Sequence, residues 1–257
     1  MPALNFDTSA RSALGLVRSG NEDSALVTAR LIAVADGMGG HAAGEIASTI
    51  AIKTLHSMAA MLTDSTIDSD SIEDLLLNSL HTIDSNISDY VQEEPQLRGM
   101  GTTLTALLIH GNDIALLHVG DSRCYRLRAN TLEQLSNDHT VVQGLLDQGA
   151  ISAVEALEHP QRSVLTQGLM GDGSVVPVLQ VYEAKEGDRY LLCSDGLSGV
   201  LNEKEIKTLL KTGDKDAAIK SLIDATYING APDNVTVLIA DVTHDDVSAN
   251  LLLGAAQ

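Results

Sequence analysis

The stretch Leu31-Ile32-Ala33-Val34-Ala35-Asp36-Gly37-Met38-Gly39-Gly40-His41 runs five apolar residues straight into a carboxylate and a glycine-rich turn. An apolar run bounded in this way reads as a buried strand, and the glycine behind Asp36 frees the backbone to turn sharply and present a carbonyl oxygen. The pattern recurs along the chain. Residues 190–193 end in Ser194-Asp195-Gly196, residues 114–119 end in Gly120-Asp121-Ser122, and Pro232-Asp233-Asn234 leads into the mostly apolar run 235–240. A lone Asp-Gly is most often a turn or a helix cap. Four carboxylates at four strand ends point instead to a shared ion. Neither Cys124 nor Cys193 has a cysteine or histidine at zinc-ligand spacing, so the donors are all oxygen and favour Mg²⁺ or Mn²⁺ over Zn²⁺.

With these residues in view, the chain resembles the bacterial PP2C-like metal-dependent Ser/Thr protein phosphatases, the PPM family. The resemblance covers about residues 11–241 and is carried by motifs in order: Gly15-Leu16-Val17-Arg18-Ser19-Gly20-Asn21-Glu22-Asp23, Val34-Ala35-Asp36-Gly37-Met38-Gly39-Gly40-His41 with Gly44-Glu45, Gly101-Thr102-Thr103, Val119-Gly120-Asp121-Ser122-Arg123, Ser194-Asp195-Gly196 and Asp233-Asn234-Val235-Thr236. It implies that Asp36 bridges two catalytic ions and that Gly37 lends its backbone oxygen. Asp195 and Asp233 match terminal ligands of the first ion, and Asp121, with Asp195, matches the site of a weaker third. Glu22, Asp23 and Asn234 match outer positions that orient metal-bound water, and Arg18 matches the guanidinium that grips the substrate phosphate.

The implied reaction is hydrolysis of phosphoserine or phosphothreonine by a hydroxide shared between two ions, opposing a eukaryotic-like Ser/Thr kinase. Eukaryotic relatives place a histidine, the proposed general acid, where this chain has Met38. His41 is the nearest candidate for that acid; a helix-start histidine bonded to backbone is the competing reading, and a metal-bound water the third. Two rival functions are a pseudophosphatase that binds phosphoproteins without hydrolysis and a hydrolase of small phosphate esters. The complete carboxylate set argues against the first. No Gly-rich phosphate loop supports nucleotide binding.

A chain of 257 residues with 44% hydrophobic content can bury one sizeable core, so one catalytic domain is expected over 1–242, with 243–257 as a short C-terminal tail carrying no readable motif. The net charge of −19 opposes nucleic acid and anionic membrane and attracts cations and basic peptides. No apolar run approaches the length of a membrane span, and the first residues lack a basic region followed by an apolar stretch. Two cysteines inside apolar runs read as reduced core residues. The expectation is a cytoplasmic protein that acts on phosphoproteins, and with 2% aromatic residues few interface anchors stand out, so a monomer is the default.

Strands are expected at 11–17, 31–35, 103–110, 113–119, 122–128, 176–183, 189–194 and 234–241. Helices are expected from Gly44 to about 60, through Ile72, Leu75, Leu76, Leu80, Ile83 and Ile87, and at 203–211 and 215–227. Hairpin order with paired helices suggests a layered α+β fold. The family resemblance sharpens this to a four-layer α-β-β-α sandwich, two stacked, mainly antiparallel sheets flanked by helices. Residues 137–172 interrupt the strands and match the bacterial flap, where His139 and His159 are candidate substrate contacts. Relatives often carry Asn-Val-Leu-Thr-Arg there, and this chain has Ser163-Val164-Leu165-Thr166-Gln167.

Overall fold

The computed structural model describes residues 3–39 and 43–257. The run 31–35 lies in β3 (Leu31–Met38) and is buried on both faces. Its alternate residues serve different layers: Leu31, Ala33 and Ala35 pack with the helices α1 (Gly44–Leu62) and α2 (Ser69–Glu93), whereas Ile32 and Val34 enter a second core. A strand covered on both sides has no solvent face, so it shows no polar alternation.

Two antiparallel sheets build the sandwich. The first runs in the order β1 (Asn5–Ala13), β11 (Val235–Thr243), β10 (Arg189–Cys193), β7 (Arg123–Arg128), β8 (Thr131–Gln134). The second runs β12 (Asn250–Gly254), β2 (Asp23–Thr28), β3, β5 (Leu104–His110), β6 (Asp113–Val119), β9 (Val178–Glu183), with the two-residue β4 (Gly101–Thr102) on the end of β3. Between the sheets lie Phe6, Ile32, Val34, Leu107, Leu116, Tyr190, Leu192 and Leu238. Phe6 meets Tyr190 edge to face at 6.3 Å between ring centroids, a favoured aromatic geometry. On the far side of the first sheet, Leu191, Val237 and Ile239 pack with Ile206 and Leu210 of α6 (Glu203–Leu210) and Leu222 of α7 (Lys215–Ile228). Three apolar layers thus separate four layers of secondary structure, as expected.

Local signals fix the helix starts. Asp68 accepts from the Ser71 N–H at the head of α2, Asn202 and Glu205 form a capping box on α6, and Asp214 accepts from the Ala217 N–H on α7. Each satisfies amides that would otherwise lack partners.

The structure departs from the sequence reading in four places. The first strand is 5–13 rather than 11–17, because residues 14–17 leave the sheet: the Gly15 N–H donates to the Tyr227 hydroxyl and the Leu16 N–H to the Ala231 carbonyl. Strands β2 and β8 were not foreseen; β2 hides inside the Glu22-Asp23 motif, and β8 is four residues with no buried side chain. Besides α3 (Val141–Asp147), which answers the helical pattern through Leu145 and Leu146, the flap contains a second short helix that was not expected, α4 (Ala153–Leu157). Finally, the boundary at 242 falls inside β11. Residues 250–254, set apart as tail, form β12 and pair with β2 from Asn250↔Thr28 to Gly254↔Ser24. No helix among the described residues is long and apolar enough to cross a membrane.

Candidate metal and phosphate site

Asp36 stands near the end of β3 with its backbone held on both sides. Its N–H donates to Thr103 Oγ1 at 3.0 Å, and its carbonyl accepts from Thr102 Oγ1 and from the Thr103 N–H, at 3.0 and 2.9 Å. Gly37 follows where β3 crosses the start of α1. A Cβ there would lie 2.1 Å from the Gly44 carbonyl oxygen and 2.6 Å from that of Glu22, so only glycine fits. Asp121 follows β6, Asp195 opens the single-turn α5 (Asp195–Ser198) after β10, and Asp233 precedes β11. All four carboxylates, with Glu22, Gly37 and Arg18, line one cleft of about 660 Å³. Asp23 pairs in register with Asp36 and is buried, its carboxylate accepting from Ser194 Oγ at 2.8 Å.

Burial and mutual repulsion dominate the electrostatics. Desolvation raises Asp36 well above the ordinary carboxylate range, with Asp23 and Asp195 adding to it. Asp195 is raised by burial and by Asp233, while hydrogen bonding from the Asp36 carboxyl acts in the opposite direction. Asp121 and Asp23 are both pushed up to about 7, first by burial. Arg18 donates to Asp233 at 2.7 Å and remains half exposed.

Oxygen donors gathered with so much uncompensated charge fit a hard divalent cation. Among the described residues, no three His, Cys, Asp or Glu close into a cage around one point.

A pH dependence follows. Asp23 and Asp121 hold protons in the folded chain up to about 7, whereas unfolding returns them to an ordinary value of 3.8. The folded state therefore binds more protons through that window, and the metal-free chain should lose stability as pH rises from about 4 to about 7. Thermal melts in chelator should give a lower Tm at about pH 8 than at about pH 5.5, and Asp23→Asn should shrink the difference. A Tm that climbs over this range, unaltered by Asp23→Asn, would contradict the assignment.

The protein phosphatase 2C family model matches residues 20–226. The chain belongs to the protein phosphatase 2C family. It is 47% identical over 237 residues to the serine/threonine protein phosphatase PstP of Mycobacterium tuberculosis, covering 92% of this chain and 45% of that protein, so it spans under half the length of this relative. Against the serine/threonine phosphatase stp of Listeria welshimeri it is 37% identical over 238 residues, 90% of this chain and 94% of the relative. Among solved structures, the catalytic domain of PstP in complex with two manganese ions superposes with a TM-score of 0.84 at 44% identity, covering 94% of this chain and all of that one.

Within this protein phosphatase 2C fold, Asn234 is the buried joint of the site. Its Nδ2 donates to the carbonyls of Leu14 and Gly20 at 2.9 and 3.0 Å, and its Oδ1 accepts from the Glu22 N–H at 2.9 Å. It thereby holds both ends of the loop that carries Arg18. His139 lies away from the cleft lining: its Nδ1 accepts from the Gly120 N–H at 3.1 Å, and its ring lies 5.0 Å from that of His118. His159, also outside that lining, accepts from the Gln161 N–H through Nδ1 at 3.2 Å. His41 falls outside the described residues. The sequence reading gave no separate role to Thr103 and Ser194, the hydroxyls that fasten Asp36 and Asp23; a hydroxyl beside each motif was the available signal.

Proposed function

We propose that this protein phosphatase 2C chain hydrolyses phosphoserine and phosphothreonine in proteins, using Mn²⁺ or Mg²⁺ held by Asp36, the Gly37 carbonyl, Asp195 and Asp233, with Asp121 and Asp195 serving a weaker third ion. The observation that carries this is the cleft itself: four carboxylates, of which Asp36, Asp121 and Asp195 have raised proton affinity, lie beside one guanidinium, under a flap wall of neutral residues. Bound ions would supply an activated water for attack on phosphorus and positive charge beside the phosphoryl oxygens as the seryl or threonyl oxygen departs. Arg18 turns from Asp233 to the phosphoryl oxygens, and its planar fork suits two of them. Asn234 keeps that arginine within reach, while Glu22 and Asp23 set the hydrogen bonding behind the ligands. Met38 carries no titratable proton, so it cannot protonate the departing seryl or threonyl oxygen.

The same reading sets the chain against a serine/threonine kinase in the cytoplasm, acting as a monomer. Cys124 and Cys193 are buried free thiols, which is compatible with a reducing compartment.

The test is phosphate release from a phosphothreonine peptide with and without Mn²⁺, beside Asp195→Ala. Release that needs both the ion and Asp195 is expected. A strong preference for nucleotides, or no release despite bound metal, would overturn the assignment. Arg18→Ala should leave metal binding in place and raise KM for the peptide about tenfold to a hundredfold, the scale of one lost charge-assisted pair.

A further inference from the structure

Along the core face of α2, Ile72, Leu76, Leu80, Ile83 and Ile87 are buried among apolar neighbours. Asp84 is buried in the same helix, 5% exposed, and among the described residues no cationic side chain forms an ion pair with it. A buried carboxylate without a counter-charge is expensive unless hydrogen bonds hold it. Here both oxygens are used on a remote segment. The Gly171 N–H donates to Oδ1 and the Gly173 N–H to Oδ2, each at 2.8 Å.

These two amides belong to the end of the flap and the turn that leaves it. The same limb is tied once more, where Thr102 and Leu169 exchange backbone hydrogen bonds of 3.0 and 2.9 Å. Met170 lies between the two ties and Ser174 just beyond the second, and both line the catalytic cleft. The flap backbone also rests directly on α2. Gly171 has φ +72°, and a Cβ on it would lie 2.6 Å from the Ser88 nitrogen. The outer part of the flap is built differently, since the hydrogen bonds around α4 run to its own neighbours, as between Ser152 and Glu155 or His159 and Arg162.

We infer that Asp84 is a positioning residue for substrate selection: it fastens the inner limb of the flap to α2, so that Met170 and Ser174 form a fixed wall against the peptide flanking the phosphorylated residue. The inference rests on the protein-phosphatase reading. Met170 offers an adaptable thioether there, suited to an apolar side chain, and Ser174 offers a hydroxyl. A small aryl phosphate fills only the metal end and has no use for that wall.

The test compares a phosphothreonine peptide with a small aryl phosphate in Asp84→Asn, which keeps the shape but turns one acceptor into a donor facing a donor. KM for the peptide should rise about tenfold, the scale of one charge-assisted hydrogen bond, while kcat and KM for the aryl phosphate stay within about twofold. Gly171→Ala, which disturbs the same joint from the flap side, should give the same split. Hydrogen exchange should quicken at residues 169–174 and nowhere else. Parallel loss on both substrates, an unchanged peptide KM, or faster exchange throughout the chain would each overturn the role. If the unaltered chain hydrolyses neither substrate, the phosphatase reading fails, and the exchange measurement still decides whether Asp84 anchors the flap.

Discussion

Asp36→Asn should cost about 10³-fold or more in metal-dependent turnover, the rate equivalent of the several kcal/mol that metal charge supplies at the reacting phosphate. The same change should make the metal-free chain more stable. In the folded protein Asp36 is buried beside Asp23 and Asp195, and its proton affinity is raised first by that burial and then by their charge. Asparagine removes one member of that repelling set and keeps the shape. The backbone bonds to Thr102 and Thr103 do not involve the side chain, so the end of β3 should hold. Relief of about 1 kcal/mol would raise the metal-free Tm by about 2–4 °C, while the stabilisation that Mn²⁺ gives the unaltered chain should largely disappear. Melts with and without Mn²⁺ read both effects. A variant that loses Tm in chelator and gains it back with Mn²⁺ would show that Asp36 is a folding residue and not a metal ligand.

Asn234→Ala should have the largest stability effect of any cleft substitution. Three backbone groups, the Leu14 and Gly20 carbonyls and the Glu22 N–H, depend on this one carboxamide. Leaving them unpaired should cost about 3 kcal/mol, or about 6–12 °C in Tm for a chain of this size. The damage should reach function through Arg18, whose loop loses both ends of its clamp, so KM for phosphopeptide should rise well before metal affinity is lost. Asn234→Asp, which keeps the acceptor for Glu22 but loses both donors, should fall between alanine and the natural chain. Calorimetry giving a loss below about 1 kcal/mol would mean that water replaces the clamp.

The candidate ligand set was legible in the sequence because each carboxylate adjoins a run that has no other reason to be polar: Asp36 stands near the end of β3, Asp121 follows β6, Asp195 follows β10 and Asp233 precedes β11. The antiparallel layers were legible for the same reason, since helix-period and strand-period segments alternate with clear caps and turns. What escaped notice depends on partners that no local pattern reveals. Strand β2 is short and carries the polar Asp23, β8 lacks a buried side chain, and β12 is a strand only because β2 offers it an edge. His139 was a candidate substrate contact because it sits in the flap; its Nδ1 accepts from the Gly120 N–H, and the residue lies outside the cleft lining. Asp84 drew no reading from the sequence, because its partners lie 87 and 89 residues away.

The pairing of β12 has a mechanical consequence. Its last paired residue, Gly254, lies opposite Ser24, and the Ala255 N–H donates to the Asp23 carbonyl at 2.8 Å. A load drawn outward on the C-terminal end would therefore reach this end first, and the strand would peel residue by residue toward Asn250. The first hydrogen bond to break would be the one on Asp23, directly behind the carboxylate cluster. Unpairing would also bare the rim of β2, an unsatisfied ladder open to another chain. Tension at that end would thus be felt at the catalytic floor before the sheet as a whole yields.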